Sequence, residues 1–172
     1  MQRSRTFLFA TALALAVASN SYAASNPLHR TFNVADGGTL KINAAFGGIR
    51  IVTGGPGGVT LDVKRSGKDD EVKAYDIRVD QVGNDISVKG DYDRPSHLFN
   101  WSTNLEVEYT VTVPSRFNVD LKTSGGDIKV GDLQGQVTVN TSGGELDLGR
   151  INGNVAARTS GGDASIEAAT GT

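Results

Sequence analysis

Thr123-Ser124-Gly125-Gly126-Asp127 returns eighteen residues later as Thr141-Ser142-Gly143-Gly144-Glu145, and again as Thr159-Ser160-Gly161-Gly162-Asp163. A second marker keeps the same phase: Leu133-Gln134-Gly135, Ile151-Asn152-Gly153, Ala169-Thr170-Gly171. Two markers in phase define a repeating structural unit, in which each copy covers the apolar side of its neighbour. Between the markers, apolar residues alternate with polar ones: Val119 and Leu121, Ile128 and Val130, Val137 and Val139, Leu146 and Leu148. Successive side chains of a strand point to opposite faces, so each pair shares one side. The unit therefore reads as a Gly-Gly-acid turn, a strand, a Gly turn and a second strand. The glycines suit sharp corners, because they reach positive φ without strain at Cβ.

This pattern predicts an all-β chain built as a parallel β-solenoid of 18-residue coils, two strands per coil. A three-sided coil fits the same period, and two faces are favoured because two strands per unit are visible. The last coil carries Ala157 and Ala164 where earlier coils carry Leu, Val or Ile, and is expected to be the least stable.

Upstream, Leu40 to Asn43, Phe46 to Ile51 and Val59 to Lys64 repeat the same grammar of Gly turns and short alternating strands. They read as an early, degenerate coil. Ser66 to Asp76 breaks the alternation. Ser66 suits a helix cap, and Asp69, Asp70 and Glu71 suit a first helical turn, where the macrodipole favours negative charge. Ile77 to Val82 and Ile86 to Val88 flank Gly83-Asn84-Asp85, a hairpin signal. Leu105 to Val113 is the cleanest alternation, ended by Pro114. Residues 66–113 thus read as a helix and hairpin insertion, and residues 117–172 as regular repeats.

Residues 1–23 read as a secretory signal peptide: Arg3 and Arg5, an apolar stretch from Thr6 to Ala18, then Ser21-Tyr22-Ala23. The expected mature chain, residues 24–172, suits a single domain. The address implied is exported, in the periplasm or at the cell surface. Zero Cys excludes disulfides and Cys chemistry. A net charge of −2 with no basic stripe makes nucleic acid an unsuitable partner. No segment after the leader is apolar enough to span a bilayer.

The strand ending Val113-Pro114, followed by Val119-x-Leu121-x-Thr123-Ser124-Gly125-Gly126-Asp127-Ile128-x-Val130 and its successors, resembles the bacterial putative-adhesin β-strand-repeat family of unknown function. The resemblance extends over nearly the whole mature chain. It implies an exported or envelope protein with a solenoid-like β fold. It transfers no catalytic residue. The chain departs from the family pattern at Thr172, midway through a coil, and the strand edge left open there is expected to self-associate.

Asp127, Glu145 and Asp163 recur after Gly-Gly and should stack on one edge. Carboxylates suit Ca²⁺, which takes oxygen ligands, and they equally suit turns, where they accept backbone N–H groups. Thr123, Thr141 and Thr159 suit either a hydroxyl ladder or local backbone bonding. His97, Phe99 and Trp101 form an aromatic loop, suited to an interaction surface or to a plug on the core. These six acids and aromatics are the candidate binding residues. No catalytic residue, metal ligand or cofactor site is expected, since His29 and His97 lie in no metal or nucleophile spacing. The function expected is non-catalytic binding or scaffolding through a polar sheet face, with an envelope protein or glycan as partner. The alternatives are a polysaccharide-active β-helix enzyme and a calcium-dependent β-roll.

Overall fold

A computed structural model describes residues 27–54, 57–92 and 104–171. Two sheets enclose one apolar core. The larger holds β1 (Leu28–Phe32), β4 (Val59–Ser66), β7 (Glu106–Val113), β3 (Gly48–Thr53), β9 (Ile128–Val130), β12 (Leu146–Asn152) and β10 (Leu133–Gln134), with β14 (Ala164–Ala169) on the far side of β12. The smaller runs β13 (Val155–Thr159), β11 (Val137–Thr141), β8 (Asn118–Thr123), β2 (Thr39–Ala44), β6 (Asp85–Tyr92) and β5 (Tyr75–Val82).

The core follows from the alternation. Ile128, Val137, Leu146 and Leu148 are buried, as are Leu40, Ile42, Ile49 and Ile51 from the upstream strands. Each such side chain contributes about 1.5–3 kcal/mol when removed from water.

The expected parallel β-solenoid is corrected. Both sheets are mixed: β1 with β4, β4 with β7, and β5 with β6 pair antiparallel, while the remaining ladders are parallel. Nor is the middle of the chain a separate insertion. β7 lies between β4 and β3, and β6 lies between β2 and β5, so both are integral to the sheets. The physical reason is that alternation fixes which side chains face the core but not strand direction. The tight turn at Gly83 (φ +60°) returns the chain on itself and makes β5 and β6 antiparallel.

Within the mixed sheets, ladders link equivalent positions of the repeats. Val119, Val137 and Val155 are aligned across β8, β11 and β13. Ile128, Leu146 and Ala164 are aligned across β9, β12 and β14. The upstream strands β2 and β3 pair in parallel with β8 and β9, bringing Leu40 beside Val119 and Ile49 beside Ile128. Burial fades at the last described repeat, where Val155 is half-buried and Ala157, Ala164 and Ile166 are exposed.

The helix α1 (Asp69–Ala74) forms with the three acids in its first turn. Its cap position is Lys68 rather than Ser66, and no side chain caps it. At this end of the core Tyr75, Phe46 and Tyr92 pack with ring centroids 5.0–5.5 Å apart. The Tyr75 and Tyr109 hydroxyls share a buried hydrogen bond of 2.8 Å. Burial pushes both phenols to raised pKa values.

Candidate functional site

The outer face of the six-stranded sheet is built by the positions that alternate with the core. Strand register sets its rows. One row crosses Asp80, Ser87, Lys41, Asp120, Thr138 and Ala156. The next crosses Arg78, Lys89, Asn43, Lys122, Asn140 and Arg158. Neighbouring strands lie about 4.8 Å apart, so each row is a ruler of side chains at that interval.

The two rows differ in charge. In the first, Lys41 and Asp120 pair at 3.5 Å. The second holds cations and amides alone. Arg78 is held by Asp76 at 2.8 Å and Lys89 by Asp91 at 3.4 Å. Lys122 and Arg158 have no ion pair among the described residues, and Asn43 and Asn140 have no side-chain hydrogen bond there. Beyond this row, Ser124, Ser142 and Ser160 stand exposed at the ends of β8, β11 and β13.

The outer face of the larger sheet carries a shallow depression of about 710 Å³. Gly48 and Gly126 lie along it, and its rim mixes Arg50, Lys64 and Lys129 with Glu106, Glu108 and Asp127. Lys129 is within 3.9 Å of Asp147. His29 and Asp62 pair at 2.6 Å on the same sheet, both well exposed. A further ion-paired cluster, Asp132 with Arg150 and Glu167, lines the corner beside Leu133 and Ile151. Three hydrogen bonds from Arg150, one from its backbone N–H and two from its guanidinium, hold the Asp132 carboxyl below its usual range.

The predicted site residues separate. His97, Phe99 and Trp101 lie outside the described residues. Asp127, Glu145 and Asp163 are exposed along one corner, where the backbone of adjacent repeats is joined: Gly126 N–H donates to the Gly143 carbonyl at 2.8 Å and Gly144 N–H to the Gly161 carbonyl at 2.8 Å. The Asp127 carboxylate accepts the Glu145 N–H at 2.9 Å. The same device recurs where Asn118 accepts the Gln136 N–H and Asp132 the Arg150 N–H, each at 2.9 Å. A short polar side chain on one repeat thus caps the backbone of the next. Among the described residues no three His, Cys, Asp or Glu side chains converge to hold a metal ion.

The threonines turn inward. The Thr123 hydroxyl lies 3.1 Å from both the Gly47 and Gly125 carbonyls, and the Thr141 hydroxyl 3.2 Å from the Gly126 and 3.1 Å from the Gly143 carbonyl. They tie the corner backbone together and leave the serines outside. The residues that sequence reading missed are those of the cationic row. Lys122, Asn140 and Arg158 share one phase of the repeat, a legible signal, whereas their continuation through Asn43 and Lys89 depends on pairing β8 to β2 and β2 to β6.

Among the described residues no helix is long and apolar enough to cross a membrane. No family model and no curated protein matches the sequence. The chain is similar to solved structures named as adhesion proteins. One is a putative cell adhesion protein of Clostridium sporogenes, with 14% identity, 84% of this chain and 96% of that chain covered, and a TM-score of 0.43. Another is a putative adhesin of Bacteroides fragilis, with 15% identity, 85% and 94% covered, and a TM-score of 0.34. A third, named a putative lipid binding protein, is from Parabacteroides distasonis, with 12% identity, 86% and 95% covered, and a TM-score of 0.26.

Proposed function

We propose that this chain is a non-catalytic, exported envelope protein that binds or scaffolds a partner through a flat polar sheet face. The observation that carries this reading is the outer surface of the six-stranded sheet. Its two central rows are polar at every position but Ala156, and they cross six strands without interruption by a described element. A stiff ladder presents such side chains at fixed intervals, so little order is lost when a partner docks. Glu106, Glu108 and Asp127 share the rim of an open depression with Arg50, Lys64 and Lys129, and the His29–Asp62 pair lies exposed, which supports binding over acid–base chemistry. The Asp127 carboxylate already accepts a hydrogen bond from the Glu145 N–H, which weighs against the calcium-dependent reading. Export rests on the charged, apolar and small-residue pattern of residues 1–23.

The test is retention of the mature chain on purified murein, envelope glycan and envelope protein fractions, with Asn140→Trp as the probe. Asn140 is exposed on β11, between Lys122 and Arg158, so an indole there obstructs an occupant of this row without touching the core. Retention that Asn140→Trp abolishes supports the reading. Retention that survives it places binding elsewhere and removes the sheet face from the proposal.

A second reading concerns self-association. β13 and β14 each have one strand neighbour and an open opposite edge among the described residues, and Ile166 on β14 is 43% exposed. Unpaired edges of this kind accept strands from another copy. Light scattering over a concentration series is expected to show growth in mass that Ile166→Lys suppresses. A constant monomer mass at the highest concentration removes this reading.

A further inference from the structure

We infer that the cationic row of the six-stranded sheet binds a linear acidic polysaccharide bearing one carboxylate per disaccharide, laid across the strands. The inference rests on the sheet-face reading above and names the chemistry of its partner. Over five of its six strands the row alternates, Lys89, Asn43, Lys122, Asn140, Arg158 on β6, β2, β8, β11 and β13, and at the β5 end Arg78, paired with Asp76, adds a cation beside Lys89. Cations therefore recur at every second strand, a spacing of roughly 10 Å, with an amide midway between each pair. An extended polysaccharide with one acid per disaccharide offers its carboxylates at about that two-strand interval, with a neutral sugar between them. The amides of Asn43 and Asn140 then meet the neutral unit, where an amide both donates to and accepts from hydroxyls.

The charges are available. Lys122 and Arg158 pair with no acid among the described residues, and both are exposed. Lys89 is held by Asp91 at 3.4 Å, an exposed pair weak enough to exchange its partner. Asp120, the nearest acid on β8, is engaged by Lys41 at 3.5 Å. Ser124, Ser142 and Ser160 lie beside the row at the same strand interval and add hydroxyls along one flank. No aromatic side chain stands in either row, so the face lacks the stacking platform that single-stranded nucleic acids use. Affinity then comes from repeated charge contacts, which makes it multivalent and sensitive to salt.

Affinity electrophoresis of the mature chain tests this. The probes are hyaluronan, with one carboxylate per disaccharide, its carboxyl-reduced form, polygalacturonate, with a carboxylate on every sugar, and single-stranded DNA. Hyaluronan is expected to retard the chain most, its carboxyl-reduced form not at all, and added salt to release it. The double change Lys122→Gln with Arg158→Gln is expected to weaken retardation about tenfold, the loss of two exposed ion contacts. Arg50→Gln with Lys64→Gln, on the other sheet, is expected to leave it unchanged. No retardation by hyaluronan, or equal retardation of the wild type and the Lys122/Arg158 variant, overturns the inference. Polygalacturonate or DNA binding as tightly as hyaluronan overturns the charge spacing and the polysaccharide assignment respectively. If Asn140→Trp still abolishes envelope retention while the charge variant does not, the polysaccharide class falls and the sheet-face reading stands. If neither change affects retention, both fall.

Discussion

Two adjacent glycines should respond in opposite ways to the same substitution. Gly143 and Gly144 occupy the corner between β11 and β12. Gly144 has φ +136°, a region that residues with a side chain rarely enter, and a Cβ there would press into the Gly126 carbonyl oxygen of the preceding repeat. That carbonyl lies near the Thr141 hydroxyl at 3.2 Å, and the Gly144 N–H donates to Gly161 at 2.8 Å, so any shift disturbs joints on both sides. Backbone strain of this kind is worth about 1–3 kcal/mol. Each hydrogen bond weakened adds about 1 kcal/mol. Gly144→Ala is therefore expected to destabilise the chain by about 3 kcal/mol or more. Gly143 does not have positive φ, and a Cβ there meets nothing within 4 Å. Gly143→Ala should be neutral, or stabilise by about 0.4–1 kcal/mol by restricting the unfolded chain. Urea unfolding followed by far-ultraviolet circular dichroism reads both, as a shift in midpoint at constant slope. Equal effects of the two changes, or a Gly144→Ala midpoint within error of the wild type, would refute the claim that this corner is a close backbone-on-backbone contact.

Alkaline pH offers a second test. The folded pKa values of Tyr75 and Tyr109 are raised, chiefly by burial, above the unfolded value near 10. Their contribution is complete below about pH 10 and is lost as pH rises from there toward the folded values, because only the unfolded state ionises. With both phenols contributing, stability should fall by up to about 2.7 kcal/mol per pH unit above pH 10. Tyr109→Phe should roughly halve that slope in urea titrations at pH 9 to 11.5, and an unchanged slope would show that this pair does not govern alkaline unfolding. Thr141→Val keeps the shape of a buried residue but removes the hydroxyl beside the Gly126 and Gly143 carbonyls, and should cost about 1–3 kcal/mol. Thr159→Val, at a half-buried position, should cost less, and a reversed order in thermal melts would contradict the inward role of these threonines.

Much of the fold was legible because period two and period eighteen are properties of the chain. Alternation named the buried side chains of β8, β9, β11 and β12, and the recurrent Gly-Gly placed the corners. Strand direction was not legible. Val59 to Lys64 alternates as cleanly as Val119 to Leu121, yet the first pairs antiparallel with β7 and the second in parallel with β2. Pairing sense depends on where a connection returns the chain, and local alternation is the same in either sense. The cap of α1 fell to Lys68 rather than Ser66 because the helix begins only at Asp69.

The candidate site divides in the same way. Sequence alone placed Asp127, Glu145 and Asp163 on one edge, since equal spacing in a repeat means equal position in its stack. It also set Lys122, Asn140 and Arg158 in phase. Tertiary structure decided what these positions do: it turned the Asp127 carboxylate toward the Glu145 N–H, and it joined Lys122 to Asn43 and Lys89 across strands remote in sequence. Repetition fixes a residue's place relative to its own copies, because every copy folds by the same local rules. Its neighbours outside the repeat are set by how distant strands close around one shared core, and that is a property of the whole chain.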